Sequence, residues 1–291
     1  MPERDGYIPG VPCWIDTNQP DPDAAAEFYG ELFGWELENV MSPDADMKYL
    51  MARIRGGDVA AISSVPEGAP PMAMWNTYVA VASADETAKK VKDAGGQVLA
   101  EPFDVADAGR MAVCADTDSA MFCVWQAGQH KGARIVNEAG SVNFNGLHTR
   151  DVEAAKTFYG AVFGWRTMTL DGAQEMWTMP GYGDHLEELN PGIRQRMAEM
   201  GAQPGFEDVV ASLMAISDET PPHWDVTFAA DDADAIAARA TELGGSVIVP
   251  PTDVPWARMT VICDPQGATF NATQFVPENK DLATRAGASA G

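Results

Sequence analysis

The sequence is poor in the residues that disulfide frameworks, nucleic-acid interfaces and membrane spans require. Its four cysteines show no CxxC spacing, and each lies in or beside an apolar, strand-like run, which indicates reduced structural thiols. Its 19 basic residues face 43 acidic ones, and the net charge of -24 repels phosphate backbones and anionic membranes. No apolar run approaches the roughly 20 residues that span a bilayer, and the start lacks a hydrophobic signal core. We therefore expect a cytoplasmic protein with neither nucleic-acid nor membrane partners.

A repeated segment is the clearest feature that the sequence does contain. FYGELFGW at Phe28–Trp35 recurs as FYGAVFGW at Phe158–Trp165, and the back halves match through AGGQVLAEPFDV and LGGSVIVPPTDV. Matching at this density indicates a tandem duplication of one domain. We name the half that contains Phe28 copy one and the half that contains Phe158 copy two.

The spacing of the matched segments predicts the domain bounds. The front and back halves align at different offsets, so copy two contains extra residues, which we assign to an inserted lid or loop at about 184–214. The linker GQHKGARIVNEAG separates the copies, and the polar, aperiodic C-terminus indicates disorder. The predicted domains are 8–130 and 140–276, followed by a disordered tail at 277–291.

Both copies show the same order of predicted elements. In each, a strand precedes a helix and short strands, and a second strand, helix and further strands follow. The first helices are predicted at Pro22–Phe33 and Val152–Phe163, where apolar residues form one stripe and Asp21 or Asp151 caps the start. This pattern is a βαβββ unit repeated twice per domain, which predicts an α+β fold.

These motifs resemble a known family. A strand, then D-x-x-x-A-x-x-F-Y-x-x-x-F-G-W, then a second strand–helix unit closing in DPQG at Asp264–Gly267 resemble the vicinal oxygen chelate superfamily. Copy one has the degenerate DTDS at Asp116–Ser119. The superfamily contains glyoxalases, extradiol dioxygenases, and bleomycin-resistance and fosfomycin-resistance proteins, and the chain is most similar to two-domain bacterial glyoxalase-like proteins often labelled hydroxylases. The resemblance implies a curved, cup-shaped sheet in each domain, whereas function must be argued from the site.

The resemblance also implies where a metal would bind. Metal-dependent members use His or Gln on the first strand, His on the fifth and Glu on the eighth. These positions hold Trp14, Asn76 and Cys123 in copy one, and Phe144, Asp225 and Asn271 in copy two. Only Asp225 is a strong ligand, whereas a catalytic metal needs about three protein ligands. A displaced site that uses His148 with Asp225 stays an alternative, but we expect no divalent metal and no other cofactor.

Strand alternation predicts which side chains face each cup. Copy one presents aromatic and polar groups that either fill the cup or stack on a planar ligand, namely Trp14, Asp16, Asn76, Tyr78, Cys123 and Trp125. Copy two presents a smaller, more polar set that water or a ligand should occupy, namely Phe144, His148, Asp225, Thr227 and Asn271. His148 and Asp225 are the candidate catalytic pair, in which the carboxylate orients the imidazole. The alternative is that these two side chains face separate neighbours.

Three functions are compatible with these predicted features. We favour a monomeric, metal-independent enzyme of lyase or hydroxylase type that binds a small metabolite or natural product. The first alternative is sequestration of a cationic antibiotic, as in bleomycin-resistance proteins, which the net charge of -24 and the aromatic set of copy one favour. The second alternative is a metal-dependent lyase or dioxygenase with a relocated site.

Overall fold

A computed structural model of the chain describes residues 3–42, 44–170, 174–280 and 282. Within these residues, each copy forms one open, mixed sheet of eight strands, and six α-helices complete the fold. The α+β class and the tandem arrangement are thereby confirmed. No helix in this part of the chain is long and apolar enough to cross a membrane.

Copy one forms sheet one. Its elements are β1 (Pro12–Gln19), α1 (Pro22–Phe33), β2 (Glu36–Asn39), β3 (Tyr49–Ile54), β4 (Gly57–Ser64), β5 (Met74–Ala80), α2 (Ala84–Asp93), β6 (Gln97–Val105), β7 (Gly109–Ala115) and β8 (Met121–Ala127). The strand order is β2-β3-β4-β1-β5-β8-β7-β6, and β1 pairs in parallel with β4 and antiparallel with β5.

Copy two forms sheet two. Its elements are β9 (Val142–Thr149), α3 (Val152–Phe163), β10 (Arg166–Leu170), β11 (Gln174–Thr178), α4 (Tyr182–Leu189), α5 (Ile193–Glu199), β12 (Val209–Ala215), β13 (His223–Ala229), α6 (Ala233–Glu242), β14 (Ser246–Val254), β15 (Ala257–Cys263) and β16 (Thr269–Phe275). The order β10-β11-β12-β9-β13-β16-β15-β14 repeats that of sheet one strand for strand.

The first helix of each copy begins and ends where the repeated motif predicts. The side chain of Asp21 accepts hydrogen bonds from the backbone of Asp23 and Ala24, and that of Asp151 caps α3 by accepting one from the backbone of Ala154. Gly34 and Gly164 adopt positive φ angles of 71° and 75° at the helix ends, which is the left-handed conformation that glycine reaches without strain. The motif therefore fixes the length of both helices.

The two copies share their hydrophobic cores. One core combines apolar residues of α1 and sheet one, such as Phe28 and Ile62, with residues of copy two, such as Phe228 and Phe270. The other combines α3 and sheet two with α2, β7 and β8 of copy one, and includes Phe122 and Phe158. The helices α1, α2, α3 and α6 therefore pack between the two sheets, and one face of each sheet points away from them.

Buried hydrogen bonds also cross between the copies. Trp35 Nε1 donates to the backbone oxygen of Gly140 at 2.8 Å, and Trp165 Nε1 donates to that of Gly10 at 2.7 Å. Each repeated motif thus ends in a tryptophan that donates a hydrogen bond to the backbone just before the first strand of the other copy.

The inserted residues of copy two lie between β11 and β12, at 179–208, and contain α4, α5 and a short 3-10 turn at Phe206–Asp208. β12 is the counterpart of β4, because both pair in parallel with the first strand of their copy. Residues 209–214 therefore belong to the repeated fold, so the insertion begins and ends earlier than the predicted 184–214. A 3-10 turn at Pro277–Asn279 opens the tail that we predicted to be disordered; residues 281 and 283–291 lie outside the described residues.

Candidate functional site

Each sheet packs one side against α1, α2, α3 and α6, and we term its opposite side the outer face. In sheet two, Leu147 and Val226 are completely buried in the shared cores. Because side chains alternate along a strand, their neighbours point to the opposite side. The outer face therefore carries five of the residues selected from the sequence, namely Phe144, His148, Asp225, Thr227 and Asn271.

In sheet one, the outer face is occupied by a hydrogen-bonded network around Asp16. Tyr78 and Tyr49 donate their hydroxyls to Asp16 Oδ2 at 2.7 and 3.1 Å, and Asn76 Nδ2 donates to Oδ1 at 2.8 Å. Trp14 Nε1 donates in turn to the Tyr49 hydroxyl at 3.0 Å. Burial raises the pKa of Asp16 above its usual range, because desolvation of the carboxylate outweighs these hydrogen bonds.

His130 adds a further aromatic ring to this network. Its imidazole lies edge-on to Trp14 and Trp125, with ring centroids 4.4 and 5.8 Å apart, and its backbone oxygen accepts a hydrogen bond from Trp125 Nε1. Burial lowers the pKa of His130. Cys123 is 4% exposed in the same cluster. The predicted ligand-binding residues of copy one therefore contact one another and His130, which the sequence placed only in the linker.

Sheet two carries smaller side chains at the corresponding positions. The strand ladders pair Tyr78 with Cys123 in sheet one and Thr227 with Asn271 in sheet two. Replacing a tyrosine and a cysteine by threonine and asparagine removes an aromatic ring and adds hydrogen-bonding groups. Phe144, Asp225 and Asn271 are half-buried, whereas all members of the copy-one set except Asn76 are buried. The outer face of sheet two is thus the more accessible of the two.

His148 and Asp225 are in direct contact on this face. His148 Nε2 lies 2.9 Å from Asp225 Oδ2, and Asn271 Nδ2 donates to the same oxygen at 2.7 Å. Asn271 Nδ2 also lies 3.2 Å from Thr227 Oγ1, which fixes the orientation of the amide. The side chains of His148 and Asp225 are each 17% exposed, so both can be reached from solvent. The structure brings together four of the five predicted residues of copy two.

Gly146 makes room for this arrangement. A methyl group placed on Gly146 would lie 2.5 Å from Asp225 Oδ1 and 2.6 Å from Ser212 Oγ, which is closer than real contacts allow. The carboxylate lies on different strands in the two sheets. In sheet one it belongs to Asp16 on β1, which pairs with Asn76 on β5. In sheet two it belongs to Asp225 on β13, which pairs with Gly146 on β9. Copy two therefore carries its carboxylate on the strand next to the one that carries it in copy one, and the absence of a side chain at Gly146 leaves space for this carboxylate.

His223 is a further member of the site that sequence reasoning left out. It is the first residue of β13 and pairs directly with His148 across the ladder. The two imidazole rings are stacked, with centroids 4.6 Å apart and planes at 10°. His223 Nδ1 donates to the backbone oxygen of Pro221 at 2.8 Å. No local pattern indicates this pairing, because it depends on the register of two strands.

The donor atoms on this face do not match the metal site that the fold suggests. Phe144 offers no lone pair, and the Asn271 amide nitrogen already donates to Asp225 and Thr227. The strong donors are the Asp225 carboxylate and the imidazoles of His148 and His223, but Asp225 and His148 are hydrogen-bonded to each other and the two imidazoles are stacked face to face, whereas a catalytic divalent metal needs about three protein ligands that converge on one point. Within the described ranges, no group of three or more His, Cys, Asp and Glu side chains is arranged to hold a metal.

The insertion contacts both edges of sheet two. Gln203 Nε2 donates to the backbone oxygen of Thr169 in β10 at 3.1 Å, and a methyl group placed on Gly201 would lie 3.4 Å from the Trp256 indole beside β14. The insertion therefore reaches from β10 at one edge of sheet two to the turn that follows β14 at the other edge.

Comparisons with known proteins place this geometry in a family. Residues 14–124 match the profile of the Glyoxalase/Bleomycin resistance protein/Dioxygenase superfamily, and residues 142–273 match that of the Glyoxalase-like domain. The "Putative glyoxylase CFP32" of Mycobacterium tuberculosis (strain CDC 1551 / Oshkosh) is 39% identical over 283 residues, which cover 96% of this chain and 100% of that protein. The "Anthracycline biosynthesis protein DauV" of Streptomyces sp. (strain C5) is 34% identical over 284 residues, 92% of this chain and 94% of that protein.

Solved structures share the fold at low sequence identity. The Mn(II)-bound glyoxalase from Novosphingobium aromaticivorans superposes with a TM-score of 0.59 at 15% identity, over 91% of this chain and 82% of that chain. The 2,3-dioxygenase LapB from Pseudomonas sp. KL28 gives a TM-score of 0.57 at 10% identity, over 92% and 93%. The profile matches in both halves and the relatives that span nearly the whole sequence show that this chain belongs to the glyoxalase, bleomycin resistance protein and dioxygenase superfamily, also named the vicinal oxygen chelate superfamily.

Proposed function

We propose that the chain is an enzyme that acts on a small organic molecule at the outer face of sheet two, without a catalytic metal. Proton transfer through His148 and Asp225 is the chemistry that this face supports best. The observation that carries the proposal is the 2.9 Å contact between His148 Nε2 and Asp225 Oδ2, in a pair that is only partly exposed. A carboxylate next to an imidazole fixes its tautomer and increases its basicity.

The hydrogen bonds of the pair support a different role for each nitrogen of His148. An ionised Asp225 accepts the Nε2 proton, which leaves the lone pair of the neutral ring on Nδ1. Among the residues that the structure describes, none forms a hydrogen bond with Nδ1. Nδ1 is then the atom that removes a proton from the substrate, while Asp225 stabilises the imidazolium that results. Asn271 holds the carboxylate in place through its 2.7 Å hydrogen bond.

The relatives suggest which substrates to test first. One is named for anthracycline biosynthesis, and anthracyclines are planar, polycyclic aromatic ketones. The ladder places Met176, Ser212 and Gly146 in one row on the outer face, so an apolar thioether lies on the same face as the hydrogen-bonding groups of Asp225 and Asn271. Such a face suits a flat, oxygenated ring system. A proton next to a ring ketone is the proposed site of abstraction.

The test is hydrogen exchange on a tetracyclic anthracyclinone that carries an enolisable ketone. The ligand is incubated with the protein in deuterated water, and mass spectrometry measures deuterium uptake and any conversion. His148→Ala and Asp225→Asn should each slow the reaction by about 100-fold to 10,000-fold while ligand binding persists. Asn18→Ala, which changes the position in β1 that matches His148, is the control and should retain the rate.

The same assay separates an enzyme from a sequestering protein. Bound ligand that is neither exchanged nor converted would argue for the binding function known in bleomycin-resistance members. Exchange at the wild-type rate in both His148→Ala and Asp225→Asn would contradict the assigned roles of these residues.

A further inference from the structure

A cavity lies at the junction of the two copies, and neither His148 nor Asp225 is among the residues that line it. It has a volume of about 200 Å³, is partly open to solvent and is lined by residues of β1, β9, α4 and α5. Apolar and aromatic side chains dominate its walls, among them Val11, Trp14, Phe144, Tyr182, Ile193 and Met197. Both α4 and α5 belong to the insertion, and the described residues of copy one form no helix at the corresponding place.

The insertion packs against the start of copy one beside this cavity. Tyr182, Leu186 and Ile193 form a buried cluster with Val11 at the start of copy one, and each of these side chains is at most 8% exposed. Trp14 and Phe144 occupy matching positions on the first strands of the two copies, and both line the cavity. The cavity is therefore built from both copies and from the insertion.

Arg4 is a buried, charged residue in the wall of this cavity. It is 8% exposed, its Nη2 lies 3.4 Å from the Tyr182 hydroxyl, and its guanidinium carbon lies 5.9 Å from the centre of the Tyr7 ring. In the part of the chain that the structure describes, no carboxylate lies within 4.0 Å of it. Glu207 also lines the cavity, but it pairs with Arg194 at 3.4 Å. A buried guanidinium without a counterion is unfavourable, and an anion beside it would relieve this cost.

The size and chemistry of the cavity define its occupant. An apolar cavity of about 150 Å³ accommodates benzene, so about 200 Å³ accommodates a six-membered ring with a small substituent. The planar guanidinium of arginine binds a carboxylate through two parallel hydrogen bonds. We propose that this cavity binds a small monocarboxylic acid with a monocyclic aromatic or similarly sized apolar body, and that Arg4 holds its carboxylate. This site is separate from the proposed reaction at His148 and goes beyond it.

Benzoate is the probe that tests this site, with neutral benzyl alcohol as its matched control. Isothermal titration calorimetry on the full chain should show saturable benzoate binding, and the melting temperature should rise with benzoate concentration. Arg4→Met should weaken benzoate binding by about tenfold or more, because a charge-assisted hydrogen bond is lost, and should leave benzyl alcohol binding unchanged. Arg4→Lys, which keeps the charge, should retain more benzoate affinity than Arg4→Met.

Two further variants make the result specific. Arg166→Met removes an exposed arginine with the same change in net charge and should leave benzoate affinity unchanged. His148→Ala alters the proposed catalytic face and should also leave it unchanged, so the two proposals fail separately. Absence of saturable benzoate binding to the wild type would overturn the proposal, and so would equal affinity in Arg4→Met. Loss of binding in His148→Ala alone would place benzoate on the outer face of sheet two instead.

Discussion

The Tyr29 hydroxyl donates a hydrogen bond of 2.9 Å to Asp264 Oδ2, which joins the first helix of copy one to the DPQG turn of copy two. The reverse connection is present as well, because the Tyr159 hydroxyl donates to Asp116 Oδ2 at 3.0 Å. Asp264 also accepts from Gln19 Nε2 at 2.7 Å. The DTDS sequence of copy one, although degenerate, thus keeps the aspartate that the connection requires.

The first prediction concerns the stability of this connection. Tyr29→Phe should lower the free energy of unfolding by about 1–2 kcal/mol, because a buried carboxylate loses one hydrogen-bond donor while the ring stays in place. Urea unfolding measures the change, and Tyr159→Phe in the matching position should have a similar effect. Unchanged midpoints in both variants would show that these bonds add nothing to the stability of the fold.

The second prediction concerns the pH dependence of stability. Burial raises the pKa of Asp16 above the unfolded value of about 3.9, so the folded state favours the protonated form. The stability contributed by this group is fully present below the unfolded pKa and is lost as pH rises through the folded pKa. Asp16→Asn cannot ionise, so its stability relative to the wild type should improve as pH rises above the unfolded pKa of about 3.9. Urea unfolding of both proteins at several pH values measures the difference, and a constant difference would contradict the prediction.

The third prediction concerns the space at Gly146. Gly146→Ala should destabilise the fold by about 1–3 kcal/mol and displace Asp225, because the added methyl group would lie 2.5 Å from Asp225 Oδ1. Thermal unfolding and the exchange assay described above measure the two effects. Ser212→Ala removes the second close contact, at 2.6 Å, so the double variant should recover part of the stability. Wild-type stability and activity in Gly146→Ala would show that the carboxylate can move freely.

The fourth prediction concerns metal binding. Purified protein that is dialysed against chelator should contain less than stoichiometric Mn, Fe, Ni or Zn and should keep its activity, because Phe144 and Asn271 occupy two of the three family ligand positions. Phe144→His combined with Asn271→Glu restores the three ligand positions around Asp225 and should create measurable Mn²⁺ or Ni²⁺ affinity by calorimetry. Retained stoichiometric metal in the wild type, with activity lost to chelator, would overturn the metal-independent proposal.

The sequence predicted the parts of this structure that depend on local signals. The bounds of α1 and α3 follow from a capping aspartate, an apolar stripe and a terminal glycine, and all three lie within one short motif. The contact between His148 and Asp225 could be proposed because family positions and strand alternation place both side chains on one face. These signals lie close together in sequence or follow directly from the repeat.

The features that the sequence did not predict depend on long-range register. His223 enters the site only because β13 pairs with β9 so that His223 lies opposite His148. His130 returns from the linker to the outer face of sheet one, although nothing in GQHKG indicates its direction. Residues 209–214, which form most of β12, fall within the predicted insertion, because the pairing of β12 with β9 leaves no local trace in the sequence. Such contacts arise from packing between distant segments, which hydrophobic periodicity does not encode.

The exchange of tryptophan hydrogen bonds between the copies has a consequence for how the protein folds. Trp35 needs the backbone of Gly140, and Trp165 needs that of Gly10, so each half lacks partners for a buried indole when it is alone. Both cores are also assembled from residues of the two halves. The duplicated chain should therefore behave as one cooperative folding unit with a single unfolding transition, and a half that is expressed separately should associate with the other half to become folded.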